Sequence, residues 1–184
     1  MTLAELIGFI SSRLGQAGIP YMIVGSIASS YHGEPRATRD LDVVIDPSAD
    51  ALRRFVASVP TEAFYVDGDS ALQALRERGQ FNVIDQASGW KVDLVIRKDR
   101  PFSIEEFSRR QPAELVGVPS FVATAEDIII AKLEWAKRGE SERQLRDVAA
   151  MIAVGGDGLD LGYLERWVAA LELHAEWQAA TRRG

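Results

Sequence analysis

The sequence predicts an α/β chain of the α+β kind, with a small mixed sheet and flanking helices followed by a C-terminal helical bundle. Three observations lead there. Short apolar or alternating runs recur between helical segments over residues 1–118, as strands separated by helices should. Beyond that point the periodicity is helical only, over about 124–138, 141–154 and 160–178. Of the 184 residues, 47% are hydrophobic and 26% charged, the balance of a globular chain with a core of its own. The expected organisation is a core over residues 1–118 with a helical subdomain over residues 119–184 packed on it.

The elements follow in order. Residues 2–15 (TLAELIGFISSRLG) have helical apolar spacing with Thr2 as cap. Gly18-Ile19-Pro20 ends that helix, and Tyr21 to Val24 is a short apolar strand. At Gly25-Ser26 the pattern turns to small residues, a turn into a helix ending at Gly33. A polar loop over 34–39 leads to the alternating strand Asp40 to Ile45, closed by Pro47, and Ser48 caps the helix ALRRFVASV. A strand is expected at 62–67 and a helix at 69–78. FNVID (81–85) and WKVDLVIR (90–97) form a hairpin about a Ser88-Gly89 turn. From Pro101, short helical and extended pieces lead to Pro119-Ser120-Phe121-Val122.

Composition removes several functional classes. There is no cysteine, so disulfides, zinc thiolates and thiol nucleophiles are excluded. Only two histidines are present, so a metal would be held by oxygen, which favours Mg²⁺, Mn²⁺ or Ca²⁺. The net charge of −6 argues against a broad nucleic-acid footprint. No apolar run approaches the ~20 residues a bilayer requires, and the N-terminus lacks a signal-peptide pattern; a cytoplasmic protein without membrane contact is expected.

The chemistry concentrates in two strands. Side chains alternate along a strand, so Asp40 and Asp42 share one face while Leu41, Val43 and Ile45 face the core. In WKVDLVIR, Val92, Leu94 and Ile96 make an apolar face and Asp93 lies on the other, with Lys91. With apolar faces aligned, Asp93 joins Asp40 and Asp42. Clustered carboxylates repel unless a cation lies among them, and three suit two divalent ions ~3.5–4 Å apart, the arrangement for in-line displacement at phosphorus. The plainer alternative is a solvated D-x-D edge strand; an EF-hand is disfavoured, because the glycine and terminal glutamate are missing. Upstream, Gly25-Ser26 stands where a strand meets a helix N-terminus, a place for a phosphate.

Taken together, VGSIASSYHGEPRATRDLDVVID resembles the nucleotidyltransferase superfamily with the DNA polymerase β-like fold, whose pattern is an apolar strand, Gly-Ser, a helix, and a strand carrying D-h-D. Arg36-x-Thr38-x-Asp40-Leu41-Asp42 is similar to the variant in minimal nucleotidyltransferases and AbiEii-type toxins. KVDLVI resembles the strand supplying the third carboxylate, Asp93, and residues 119–152 resemble the AbiEii-like segment carrying Lys and Asp. The resemblance implies a sheet of nucleotidyltransferase type and transfer of a nucleoside monophosphate from an NTP to an acceptor hydroxyl. It implies Mg²⁺ or Mn²⁺ on Asp40, Asp42 and Asp93, and nucleotide contacts from Gly25, Ser26, Arg36, Thr38, Arg39 and Lys132. It also implies Asp147 as a further active-site acid. The acceptor is an RNA or tRNA end, a protein or a small molecule, and the toxin branch implies an antitoxin protein as partner.

The residues themselves carry part of this. Lys132 falls within the apolar arc of Ile128, Ile129, Leu133 and Ala136, where a lysine must meet an anion or reach out to water. Asp147 lies off the apolar face of its helix, as an active-site acid, a solvated acid or a partner of Arg143. Arg36 and Arg39 either bind phosphate or neutralise the acids, and Lys91 either steadies Asp93 or is a plain exposed lysine. His32 has no partner spacing for a triad. Two other classes stay open at this point: a non-catalytic nucleotide-binding or regulatory module with the same fold, and a structural α/β domain.

Overall fold

A computed structural model describes residues 1–33, 35, 37–139 and 141–182. They fall into two compact units, Met1–Ile27 with Ala37–Ala123, and Ala28–Arg36 with Thr124–Gly184. The chain is mixed α/β, as its patterning predicts. Among the described residues no helix is long and apolar enough to cross a membrane.

In the first unit, helices α1 (Leu3–Ala17), α3 (Ala49–Ser58), α4 (Gly68–Glu77) and α5 (Pro101–Ser108) accompany one sheet. Helix α2 (Gly25–His32) starts in this unit and continues into the other. The strands are β1 (Tyr21–Val24), β2 (Asp40–Ile45), β3 (Phe64–Val66), β4 (Gln80–Asp85), β5 (Lys91–Ile96), β6 (Gln111–Leu115) and β7 (Val118–Val122). Their spatial order is β3-β4-β5-β2-β1-β7-β6. The pairs β2–β5 and β1–β7 are parallel and the others antiparallel, so the sheet is mixed.

The centre of the sheet follows from alternation. Leu41, Val43, Ile45, Val92, Leu94 and Ile96 are all 0% exposed, and α1, α3 and α4 bury Leu6, Ile10, Leu14, Leu52, Phe55, Ala71 and Ala74 in the same core. Each such side chain contributes roughly 1.5–3 kcal/mol on burial. A one-residue slip of β2 would carry Asp40, Asp42 and Val44 into that core, so the register is firmly specified. It runs in step from Asp40↔Lys91 to Ile45↔Ile96, setting Asp42 directly beside Asp93.

Local signals fix most element ends. Thr2 and Glu5 form a reciprocal capping box on α1. Gly18, with φ 70°, ends that helix while the Ile19 amide reaches back to Leu14 O at 2.9 Å. The β4–β5 turn is held by Asp85, whose carboxylate accepts from the amides of Ala87 and Ser88 and from the Ser88 hydroxyl.

The short helical and extended pieces expected after Pro101 are α5 and the β6–β7 hairpin, which turns at Val116 (φ 46°) and Gly117 (φ 82°). Val116 is not a turn-forming residue, which hides the hairpin in the sequence. β7 pairs with β1 through Ile23↔Val122, so the sheet runs on past residue 118, where the periodicity turns helical, and the compact units divide at Ala123 and Thr124.

The second unit holds α6 (Ala125–Lys137), α7 (Ser141–Gly155), α8 (Leu161–Ala170) and α9 (His174–Thr181). Thr124 caps α6, and α6 packs along α7 with α8 and α9 against the pair. The helix expected over 160–178 is two helices. Glu172 adopts φ 56°, the Leu173 amide donates to Val168 O at 2.8 Å, and Leu173 is fully buried. Lys137 Nζ donates to the carbonyls of Leu171 and Glu172 at 3.1 and 2.9 Å, satisfying two groups the break exposes.

Candidate active site

The site begins where β1 ends. Val24 pairs with Asp42, so the residue after it arrives against the Asp42 side chain. Gly25 has φ 65°, and a Cβ there would lie 2.0 Å from Asp42 Oδ2; only glycine fits both the conformation and the space. The next amide, that of Ser26, donates to the Asp42 carboxylate. The N-terminus of α2 therefore already engages an anion, one supplied by the chain itself.

The β2–β5 register places Asp40, Asp42 and Asp93 on the sheet face opposite the α1–α3–α4 core, with Lys91 in contact with Asp40 and Asp93. Asp93 is buried and Asp40 exposed. Burial pushes the Asp42 carboxyl above its usual range, and the neighbouring charges of Asp93 and then Asp40 push it further; Lys91 and the Ser26 amide offset part of this. Lys91 Nζ lies 2.9 Å from Asp93 Oδ2 and 3.7 Å from Asp40 Oδ1. A hydrogen bond to Asp93 holds the Lys91 ammonium above the ordinary lysine range, against partial burial.

Asn82 joins this group without having been singled out in the sequence. It stands opposite Asp93 on β4; because an amide oxygen facing a carboxylate would repel it, the side chain is assigned with its NH₂ toward the acid, and in that orientation it donates to Asp93 Oδ1 at 2.5 Å and to Phe81 O at 3.2 Å. Its signal was available: alternation in FNVID puts a polar amide on the face that Asp93 occupies.

The donor set suits a hard divalent cation, since the acids offer oxygen only and share one face. As the side chains stand, no three acidic or histidine groups among the described residues enclose an ion. The Lys91 ammonium stands between Asp40 and Asp93 instead.

Other expected residues have defined surroundings. The Thr38 hydroxyl accepts from the Asp40 amide at 3.2 Å and donates to Asp40 O at 3.3 Å, tying down the entry to β2. Arg39 is exposed, and its carbonyl accepts from the Lys91 amide at 3.3 Å. Arg36 lies outside the described residues. In the second unit Lys132 is 5% exposed, and its Nζ lies 2.6 Å from Asp147 Oδ2 and 3.2 Å from Gln144 Oε1. Asp147 is thus the counter-ion of Lys132 rather than a solvated acid or a partner of Arg143. The pairing explains how a lysine tolerates the buried stripe.

No protein-family model matches the sequence, and none of the curated proteins is similar to it. Solved structures are similar over nearly the whole chain. An antigenic nucleotidyltransferase-like protein from Paracoccidioides brasiliensis is 19% identical with a TM-score of 0.61, over 98% of this chain and 92% of its own. ANT(2″)-Ia in complex with adenylyl-2″-tobramycin is 16% identical with a TM-score of 0.64, over 96% and 99%. The lincomycin-bound lincosamide antibiotic adenylyltransferase LnuA is 9% identical with a TM-score of 0.57, over 84% and 98%. The chain has the nucleotidyltransferase fold. At these identities the likeness establishes architecture; reaction, acceptor and branch are matters for the chemistry of the site.

Proposed function

We propose that the protein transfers a nucleoside monophosphate from a nucleoside triphosphate to an acceptor hydroxyl, releasing pyrophosphate. The observation that carries this reading is the parallel β2–β5 register, which sets Asp42 beside Asp93 with Asp40 on the same face, next to the glycine-led start of α2. Asp40, Asp42 and Asp93 would hold Mg²⁺ or Mn²⁺. Bound there, such a cation neutralises triphosphate charge and makes the acceptor hydroxyl more acidic.

The chain's own groups supply the rest. Gly25 leaves room for the Asp42 carboxylate beside the start of α2, and Gly25, Ser26, Thr38 and the exposed Arg39 are proposed to contact the triphosphate, with Arg36 added on the sequence resemblance. Asp93, whose two oxygens are held by Lys91 and Asn82, is oriented to take the acceptor proton. Lys132 as a contact of the pyrophosphate, with Asp147 as its partner acid, is proposed on the strength of the sequence resemblance alone. Positioning and electrostatics then provide most of the rate.

Two similar structures, one in complex with adenylyl-2″-tobramycin and one lincomycin-bound, support a small-molecule hydroxyl as acceptor. The net charge of −6 points the same way, since it gives a long RNA little to bind. The toxin setting, with an antitoxin partner, rests on the Arg36-to-Asp42 resemblance. The test is to incubate the protein with Mg²⁺, each α-labelled NTP, and separate small-molecule, RNA and protein fractions. Label should enter the small-molecule fraction and be lost with Asp42→Asn; equal labelling by that variant contradicts the reading, and label in RNA or protein reassigns the acceptor.

A further inference from the structure

We infer that Lys91 is a built-in counter-cation of the acidic site: a positioning residue that holds Asp40 and Asp93 together without metal and yields when a divalent cation enters. The inference rests on the proposed reading of the three carboxylates as cation ligands, and concerns how this chain manages them when no cation is bound.

The geometry carries it. Sheet register forces the acids together whatever the ionic conditions, because Asp42 is paired in step with Asp93 and Lys91 with Asp40 on adjoining strands. Like charges set opposite one another across strands destabilise a sheet, so the metal-free protein needs a positive charge at this place. Lys91 supplies it. Its ammonium contacts two of the three acids, 2.9 Å from Asp93 Oδ2 and 3.7 Å from Asp40 Oδ1. An ion shared by the same two carboxylates must compete with that ammonium for the same oxygens. Asp93 is meanwhile fixed from its other side, where Asn82 donates to Oδ1 at 2.5 Å, so release of Oδ2 by Lys91 need not free the carboxylate to rotate.

This differs from an ordinary surface ion pair in a checkable way. An ordinary pair adds little to stability and bears on no ligand. A competing counter-cation stabilises the metal-free protein and weakens metal binding together. Removing one positive charge a few ångströms from a divalent site, even when screened by solvent, should change affinity about tenfold.

The experiment measures Mn²⁺ binding to the full-length, nucleotide-free protein by the loss of the free-ion electron paramagnetic resonance signal, alongside urea unfolding in chelator. Wild type, Lys91→Met, Lys91→Gln, Lys91→Arg and Asp42→Asn are compared. Lys91→Met and Lys91→Gln should bind Mn²⁺ about tenfold, and at least threefold, more tightly than wild type, while unfolding at lower urea in chelator. Lys91→Arg should keep both values near wild type, and Asp40→Asn added to Lys91→Met should recover stability in chelator. Unchanged or weaker Mn²⁺ binding in both neutral variants, with wild type binding normally, overturns the counter-cation role alone. Mn²⁺ binding missing from wild type and every Lys91 variant, or persisting unchanged in Asp42→Asn, overturns the proposed function and this inference with it.

Discussion

Replacing Gly25 by alanine probes the tightest contact in the acidic site. The added methyl would stand 2.0 Å from Asp42 Oδ2, 2.7 Å from its Cγ and 2.9 Å from its Cβ. Turning the Asp42 side chain relieves the first two overlaps and leaves the third, so the backbones of β1 and β2 must separate. Overpacking of this kind costs about 1–3 kcal/mol. The left-handed conformation at φ 65° adds roughly 1–2 kcal/mol for a residue with a Cβ. Losing the Ser26 amide's bond to a charged acceptor adds about 1.5–3 kcal/mol. These contributions overlap, and a total of about 3–5 kcal/mol is expected. Urea unfolding of wild type, Gly25→Ala, Asp42→Gly and the double variant measures it. The double variant should be 1–3 kcal/mol more stable than the sum of the single effects, as contacting residues couple on that scale. A loss under about 1 kcal/mol for Gly25→Ala, or strict additivity, refutes the steric argument.

Four further outcomes are expected. Lys132→Ala leaves the partly buried Asp147 carboxylate without its cation and should cost about 3 kcal/mol, whereas Lys132→Met with Asp147→Leu should cost less than either single change, both read by urea unfolding. Val116→Asn should raise stability by about 0.5–1 kcal/mol, because an exposed β-branched residue at φ 46° gives way to one that favours the turn; no gain would contradict the strain argument. The Ser70 and Asp69 amides hold the Asp67 carboxyl below its usual range, so its contribution to stability is present above the ordinary carboxylate range and lost as pH falls through the lowered native value. Asp67→Ala should therefore be less stable than wild type at neutral pH, with the gap closing in acid; a gap independent of pH would contradict this. Asn82→Ala frees one oxygen of Asp93 and should lower kcat for nucleotide transfer more than it raises KM, with Asn82→Gln recovering part of the loss.

What the sequence made legible was whatever rests on local alternation. Leu41, Val43 and Ile45 against Asp40 and Asp42, and Val92, Leu94 and Ile96 against Asp93, announce both strands and the face that each acid takes. Parallel pairing in step could not be read from either strand alone, and it is this pairing that brings Asp93 beside Asp42. The partner of Lys132 was hidden for a similar reason, since Asp147 reaches it from another helix. The hairpin sets Asn82 beside the Asp93 strand, but nothing in a lone polar amide on an alternating strand tells a carboxylate partner from water. The β6–β7 hairpin turns on Val116, and the α8–α9 break on Glu172, residues with no turn preference. Strand pairing overrode local propensity at the exposed Val116, and the burial of Leu173 did so at the second break.

The central claim is that the carboxylates and the Gly25 turn form one site for a metal–nucleotide complex. Isothermal titration of each NTP into the metal-free protein, with and without Mg²⁺, tests it most directly. The expected result is binding of at least one NTP that requires Mg²⁺ and disappears in Asp42→Asn and in Asp93→Asn, both still folded by circular dichroism. Binding that persists without Mg²⁺, or is equally strong in both variants, would contradict the claim.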